Sequence, residues 1–392
     1  MKIVYYTHTL FQDSDIPYIS VQKNIIDDFY VFIDSLKIDG VRSIIELKDA
    51  PSYPCICKAT RLNSYRRLIQ YINPQKTFLL NRVRGRWWHP YSLFVAFLFF
   101  IKIIIIRPDI IHVVDFLEGY YKFLYLFRKK LVFTIHDPIP HSSFSGNEDY
   151  IKQRNNFFAN SDNFIILNNL QKEEFVDTYN LHNKNVFVNA MGVYSFMEIF
   201  SDDSLVPQVP YILFWGQIQE HKGVDILLEA MLKVHENYPN TNLVIAGKGK
   251  IKFPLENFEK KEFIQFYNEY LTMDKIASLI RSSLFVVCPY KDATQSGVVM
   301  TTFALSKAII ATDVGVLGEI IINNETGLLI ESNKPNQLIN SIQKLLENPN
   351  HLQVFSRNIR ENFLLNGENS WRKICEKYGE IYYQIIRNYA KK

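Results

Sequence analysis

Lys222 is the residue in this sequence best placed to meet a charged ligand. It stands in the run Gly216-Gln217-Ile218-Gln219-Glu220-His221-Lys222-Gly223, between the apolar segment Tyr211–Trp215 and a helical pattern over Val224–Val234. Amides at a helix start lack intrahelical partners, and the helix dipole is positive there, so a lysine at that point suits a phosphate. A solvated surface lysine is the alternative reading of the residue taken alone. A second strand-like run, Asn242–Ala246, ends in Gly247-Lys248-Gly249-Lys250. Glycines there permit close backbone approach to a ligand, although an ordinary turn gives the same pattern. The third segment says most: Leu284–Tyr290 leads into Lys291-Asp292-Ala293-Thr294-Gln295-Ser296-Gly297-Val298-Val299. Ser296-Gly297 opens a helix and offers backbone amides to a phosphate or sugar hydroxyl, and Asp292, Thr294 and Gln295 can hydrogen-bond hydroxyls.

A different chemistry is written into Arg82-Val83-Arg84-Gly85-Arg86-Trp87-Trp88-His89-Pro90-Tyr91, which precedes the very apolar stretch Leu93–Ile106. Arg82, Arg84 and Arg86 beside Trp87 and Trp88 suit an anionic membrane interface, where amphipathic rings sit at headgroup level. A surface loop capping a buried helix is the alternative. The apolar stretch is interrupted by Lys102 and falls short of the ~20 residues that span a bilayer.

The elements that position these groups follow from periodicity. Short apolar runs without alternation alternate with helical patterns, which argues βαβ units and parallel sheets covered on both faces. Strands are expected at Lys2–Tyr6, Ile110–Val114, Leu131–Ile135, Phe164–Leu167 and Val186–Asn189. A second series is expected at Ile212–Trp215, Leu243–Ala246, Phe263–Phe266, Leu284–Cys288 and Ala308–Thr312. Asp202–Ser204 and Pro207–Pro210 read as a linker between the two series. Ligands of such sheets bind at the carboxyl ends of strands, which is where the loops above lie.

Composition narrows the classes. The 392 residues carry a net charge of +4, too mild for a nucleic-acid-binding signature. Four scattered cysteines, including the lone pair Cys55 and Cys57, fit a reducing compartment and no zinc site. The N-terminus reads as a strand and not as a secretory signal.

The segments FWGQIQEHKGVD, LVIAGKGK, CPYKDATQSGVV, IIATDVGVLGE and NNETGLLIE, in that order, resemble the donor-binding half of the retaining "glycosyl transferases group 1" (GT4-like) family of GT-B glycosyltransferases. The segments RPDIIH and TIHD resemble that family's acceptor domain, and SWRKICE its terminal helix. The implied fold is α/β: two Rossmann-like doubly wound domains facing a cleft, the N-terminal acceptor-binding one over 1–195 and the donor-binding one over 209–370. The implied terminal helix, 371–392, crosses back to the N-terminal domain.

The implied activity is transfer of a hexose-type sugar from a nucleotide-sugar donor to a saccharide or polyprenyl-diphosphate-linked acceptor, in surface polysaccharide or lipid-linked oligosaccharide synthesis. No metal and no cofactor are implied. The expected place is the cytoplasm, peripheral at the inner face of the membrane. A catalytically silent GT-B partner subunit and a nucleotide-sugar epimerase are the alternatives.

By this resemblance Lys222 binds the diphosphate, with Gly216, Gly247 and Lys248 nearby. Backbone around Ser296, Gly297, Val298 and Val299 holds phosphate and sugar, and Tyr267 and Asn268 lie near the base and sugar. His136 contacts the sugar from across the cleft, and His136 and Asp292 orient and support charge without acting as nucleophiles. The sequence departs from the family at three points. Gln217 replaces a common arginine, and Thr294 and Thr302 stand where many members carry two glutamates.

Overall fold

A computed structural model describes residues 1–35, 44–83, 88–139, 148–249, 258, 261–293 and 296–390. The chain divides into two compact units, Met1–Gly192 with Trp371–Lys392, and Val193–Ser370.

The first unit is built on strands β1 (Lys2–His8), β2 (Asp28–Asp34), β3 (Cys55–Lys58), β4 (Thr77–Asn81), β5 (Ile110–Val114), β6 (Leu131–Ile135), β7 (Asn163–Ile166) and β8 (Asn185–Val188). Its helices are α1 (Gln12–Ile25), α2 (Asn63–Arg67), α3 (Pro90–Ile106), α4 (Glu148–Asn160) and α5 (Lys172–Thr178). The eight strands run in the order β3-β4-β2-β1-β5-β6-β7-β8. All neighbours pair in parallel except β3, which joins β4 antiparallel at the sheet edge. β1, β5 and β6 are buried almost end to end, as strands covered on both faces must be. The high aromatic content is spent here: Phe99, Phe133, Phe157, Phe158, Phe164 and Phe175 fill one continuous core with Tyr6 and Phe32. Many of their rings meet edge to face, as with Phe133 and Phe157 at 4.8 Å.

The second unit carries β9 (Tyr211–Trp215), β10 (Asn242–Ala246), β11 (Ile264–Tyr267), β12 (Val286–Cys288), β13 (Ile309–Thr312) and β14 (Gly327–Ile330). Between and after them run α6 (Val224–Asn237), α7 (Met273–Ser282), α8 (Gly297–Ala304), α9 (Leu317–Ile320), α10 (Pro335–Glu347) and α11 (Pro349–Ile359). The six-stranded sheet is wholly parallel, in the order β11-β10-β9-β12-β13-β14. The chain winds outward from β9 through β10 to β11, then returns beside β9 with β12 and winds the other way. The switch point therefore lies between β9 and β12. In the first unit the same reversal falls between β1 and β5.

The last helix, α12 (Trp371–Ala390), belongs to the first unit. Its Tyr382 hydroxyl meets His112 Nδ1 at 2.6 Å, and His112 Nε2 meets Thr134 Oγ1 at 2.7 Å. Asn189 Nδ2 donates to the Ile374 carbonyl at 3.1 Å. Burial pushes His112 down to about 3, so its ring is neutral and serves as a hydrogen-bonding post between helix and sheet.

The structure moves one boundary. Residues 193–208, read from sequence as the end of the first domain and a linker, pack on the second unit. Arg281 of α7 holds them there, donating to the carbonyls of Phe200 at 2.6 Å, Glu198 at 2.9 Å and Met197 at 3.1 Å. Strands β2, β3 and β4 are additions to the expected set: β2 is a continuous, mostly buried apolar run, Phe29–Ile33, β4 is a short interior strand, and β3 is a four-residue edge strand.

Candidate functional site

The loops after β9 and β12 meet at the switch point of the second unit. Lys291 N donates to the His221 carbonyl at 2.7 Å, and Lys291 Nζ pairs with Asp225 Oδ2 at 2.8 Å, tying the β12 loop to the start of α6. Gly223 sits at φ +66°, and a Cβ on it would lie 1.9 Å from the Pro289 carbonyl oxygen. That contact is possible only for glycine. It brings Lys222 over the Tyr290 ring, with Nζ 3.8 Å from the centroid. Tyr290 itself is buried, so the ammonium is backed by an apolar, electron-rich face. Burial lowers the Lys222 pKa, with Cys288 and Asp292 opposing the shift. A partly desolvated ammonium of this kind gains from an anionic partner.

The loop after β10 closes the other side. Gly216 N donates to the Ala246 carbonyl at 2.9 Å and Gly247 N to the Tyr267 carbonyl at 3.0 Å. A Cβ on Gly247 would stand 1.8 Å from the Gly216 carbonyl oxygen. Lys248 is exposed, with Nζ 4.9 Å from the Tyr270 centroid. Gln217 takes the place of a cation and accepts from Gln219 Nε2 at 3.1 Å.

α8 supplies amides. The Ser296 side chain caps it, accepting from Val299 N at 3.4 Å. Gly297 is exposed and Val298 half-buried, and their amides precede the first capped one. Asp292 is exposed on the same loop. Thr294 and Gln295 lie outside the described residues.

Several of the expected donor residues have a polar group engaged within the unit. Thr302 is fully buried one turn into α8, and its hydroxyl accepts from Trp215 Nε1 at 3.3 Å. The second glutamate position of the resemblance is thus filled by a residue that braces the β9 strand end. The Val299 amide is already bonded to Ser296 and its side chain is buried. Tyr267 turns its hydroxyl to the Leu205 carbonyl at 3.1 Å. Asn268 keeps its place on the loop after β11, but its Oδ1 is engaged by Gly249 N at 3.0 Å. Sequence reasoning missed Tyr290, Lys291 and Gly223 as site builders. The Lys-Gly pair before α6 was visible, but its partner loop lies far along the chain.

In the first unit, His136 stands at the end of β6. Its ring stacks on Phe11 at 4.9 Å, and with Asp15, Thr134, Trp371 and Tyr378 it lines a narrow pocket. Burial pushes His136 down to about 4, with Asp137 opposing, so it is a neutral ring at pH 7 and supplies no positive charge. Burial lifts Asp15 to about 7 against hydrogen bonds from Thr7 and Tyr5, and lifts Asp115, after β5, to about 7 as well. Sequence reasoning missed both carboxyls.

The arginine cluster is corrected. Arg82 is not a surface cation: it is 1% exposed, with Nε 2.8 Å from Oδ1 of Asp34 at the end of β2. His8 Nδ1 lies 3.6 Å from the other carboxylate oxygen. Arg84, Arg86 and Trp87 lie outside the described residues, and Trp88 is exposed.

Comparison with known proteins places each half. A family model described as "Glycosyltransferase Family 4" matches residues 60–194, and one described as "Glycosyl transferases group 1" matches residues 196–362. An uncharacterized glycosyltransferase of Methanocaldococcus jannaschii is 33% identical over 176 residues, 44% of this chain and 48% of that protein. Alpha-maltose-1-phosphate synthase of Mycolicibacterium smegmatis is 26% identical over 192 residues, 45% of this chain and 48% of that protein. The chain spans about half the length of the curated relatives it matches. Sucrose-phosphate synthase of Thermosynechococcus elongatus superposes with a TM-score of 0.66 at 15% identity, covering 99% of this chain and 100% of that one. HepE of Anabaena, solved with UDP, gives 0.61 at 13% identity, covering 98% and 100%. These structures share the fold.

Three expected outcomes test the geometry. Gly223→Ala forces a side chain into left-handed backbone and onto the Pro289 carbonyl, and should cost about 1–3 kcal/mol from strain alone. Gly297→Ala, whose added Cβ meets nothing closer than 3.5 Å, should unfold at the wild-type denaturant midpoint. Arg82→Leu strands the Asp34 carboxylate in the core and should cost about 3–5 kcal/mol; an unchanged denaturation midpoint would return Arg82 to the surface.

Proposed function

The chain belongs to the group 1 (GT4-like) glycosyltransferases of the GT-B fold, and from that premise we propose that it transfers a hexose-type sugar from a nucleotide-sugar donor to a saccharide acceptor. The observation that carries this reading is the switch point of the second unit. There a half-buried lysine, two glycine-lined strand ends and the capped N-terminus of α8 converge on one surface. Such a surface fits a diphosphate: Lys222 supplies charge, and the Gly297 and Val298 amides supply directed donors. Neighbours of the same fold solved with UDP and with UDP-glucose support a nucleotide sugar as the donor.

In the proposed reaction the anomeric carbon–oxygen bond to the diphosphate breaks as the acceptor oxygen bonds the same face of that carbon. The acceptor proton passes to the departing phosphate, and configuration is retained. Lys222 and the α8 amides stabilise the charge that builds on the leaving diphosphate. Asp292 is assigned to orienting sugar hydroxyls. His136, neutral by burial, is assigned to hydrogen-bonding and not to charge stabilisation. Gln217 leaves the diphosphate with one fewer cation than the family commonly supplies, and Lys248 is the available supplement. The acceptor is a saccharide, free or carried on a polyprenyl diphosphate, and the setting is polysaccharide or lipid-linked oligosaccharide synthesis at the cytoplasmic face of a membrane.

Screening UDP-, GDP- and ADP-sugars by thermal shift identifies the donor, because a ligand of the native state raises apparent stability. Lys222→Ala should then weaken nucleoside diphosphate binding by about 1.5–3 kcal/mol, the range for a hydrogen bond to a charged group. Unchanged affinity removes Lys222 from the site. A donor that binds without turnover on any saccharide acceptor marks a silent partner subunit instead.

The proposed chemistry places the diphosphate charge on protein groups alone. Turnover should persist in excess EDTA. Abolition by EDTA and recovery with Mg²⁺ or Mn²⁺ would contradict this assignment.

A further inference from the structure

α3 is apolar apart from Ser92 and Lys102, and only half of it is covered. Ser92, Val95, Ala96, Phe99 and Ile103 pack into the core of the first unit. Leu93, Phe94, Phe97, Ile101, Ile104 and Ile105 are exposed, between 38% and 69%. At about 100° per residue these six fall within a single sector of about 120°, opposite the buried one. A helix hydrophobic all round belongs in a protein core or in lipid. Isolated surface hydrophobics are ordinary, but six on one helix face form a contiguous patch that marks an interaction surface.

The 3-10 stretch Gly119–Lys130 extends the patch. It packs on α3 through Phe123, whose ring lies 5.8 Å from Phe99 and 5.4 Å from Phe100, and it presents Leu126 at 75% exposure. Trp88 and Tyr91, at the α3 N-terminus, are 53% and 40% exposed.

Charge identifies the occupant. Neither α3 nor the 119–130 stretch contains a carboxylate; Glu118 immediately precedes the latter. Arg107, Lys122 and Lys129 are exposed cations on or beside these elements. Arg128 is committed to Asp162 at 2.6 Å, and Lys130 donates to the Pro108 carbonyl at 2.8 Å. On the β3–β4 side, Lys58 and Lys102 both stand over the Phe78 ring, at 4.3 and 5.4 Å. Lys58 is held below its ordinary pKa by burial and then by Lys102.

We propose that the exposed face of α3, with Leu126, docks the protein on an anionic phospholipid surface, the helix lying in the interface plane. The helix has 17 residues, about 25 Å at 1.5 Å per residue, and none among the described residues is long and apolar enough to cross a membrane. Apolar side chains entering the headgroup–acyl boundary, with lysines and arginines meeting the phosphates, is the binding mode of an interfacial amphipathic element. A symmetric second copy fits less well, since an isologous contact sets this cationic rim against itself. Of the arginine cluster expected from sequence, Arg82 is buried and takes no part in this surface, and Arg84 and Arg86 lie outside the described residues. It concerns a surface of the first unit and stands whether or not the donor assignment does. With the lipid-linked acceptor reading, it names where the membrane carrying that acceptor is met.

Co-sedimentation with phosphatidylglycerol–phosphatidylcholine vesicles at low salt tests it. The wild type should bind these vesicles, ignore pure phosphatidylcholine and release as salt rises. Phe97→Ser with Ile104→Ser and Ile105→Ser should reduce binding at least ten-fold. Lys122→Ser with Lys129→Ser should weaken it and flatten its salt dependence. All five positions are exposed, so melting temperature and nucleotide-induced thermal shift should match the wild type. The proposal is overturned if the wild type ignores anionic vesicles, binds neutral ones equally, or keeps its binding in both variants. It is equally overturned if the lipid-free protein is a dimer by light scattering that the triple variant converts to monomer.

Discussion

The candidate site of the second unit depends on places where backbone touches backbone, Gly223 and Gly247 among them. At Gly223 the chain passes beneath the Pro289 carbonyl, and at Gly247 it passes against the Gly216 carbonyl. A methyl group at either position would sit within 2 Å of a carbonyl oxygen. These contacts set the separation of the β9, β10 and β12 strand ends. That separation puts Lys222 over Tyr290 and lets Lys291 reach both the His221 carbonyl and Asp225. The ligand-facing chemistry is thus carried by side chains, but its spacing is set by atoms that cannot be mutated away.

The two units solve opposite electrostatic problems. The second concentrates positive potential at an open switch point, where a ligand can complete it. The first carries a set of buried ionisable groups: Arg82 faces Asp34 in the core, and Asp15 and Asp115 are lifted to about 7. Burial holds two of its histidines neutral as well, His112 near 3 and His136 near 4. Between pH 4 and 6 such histidines withdraw stability as pH falls, because only the unfolded chain takes up their protons. The raised carboxyls act with the opposite sign, since protonation of the folded state stabilises it as pH falls below 7.

Aromatic residues serve two ends in the first unit. The Phe99–Phe133–Phe158 core holds a wide parallel sheet together without staples, and all four cysteines are free. The same composition spills onto the outer side of α3, which is left exposed among the described residues. Burying one face of that helix anchors it rigidly, so the exposed face is presented as a fixed surface.

The sequence alone determined what depends on near neighbours in the chain. Apolar runs and helical periods placed β5 and β6 to the residue and most other strands within one or two residues, and the ordered glycine-bearing loops marked the half that matches the group 1 glycosyltransferase model. It also located Lys222, Ser296 and Gly297 on loops at strand ends. Only tertiary structure decided what depends on partners distant in sequence. Arg82 is a core cation because Asp34, on an unrecognised strand, ends beside it. The Thr302 hydroxyl is engaged because Trp215, at the end of β9, reaches it on α8. Residues 193–208 belong to the second unit because Arg281 gathers their carbonyls. A helix as uniformly apolar as α3 carries no pattern that says which side is covered, so its outward face became visible only once the sheet had claimed the other.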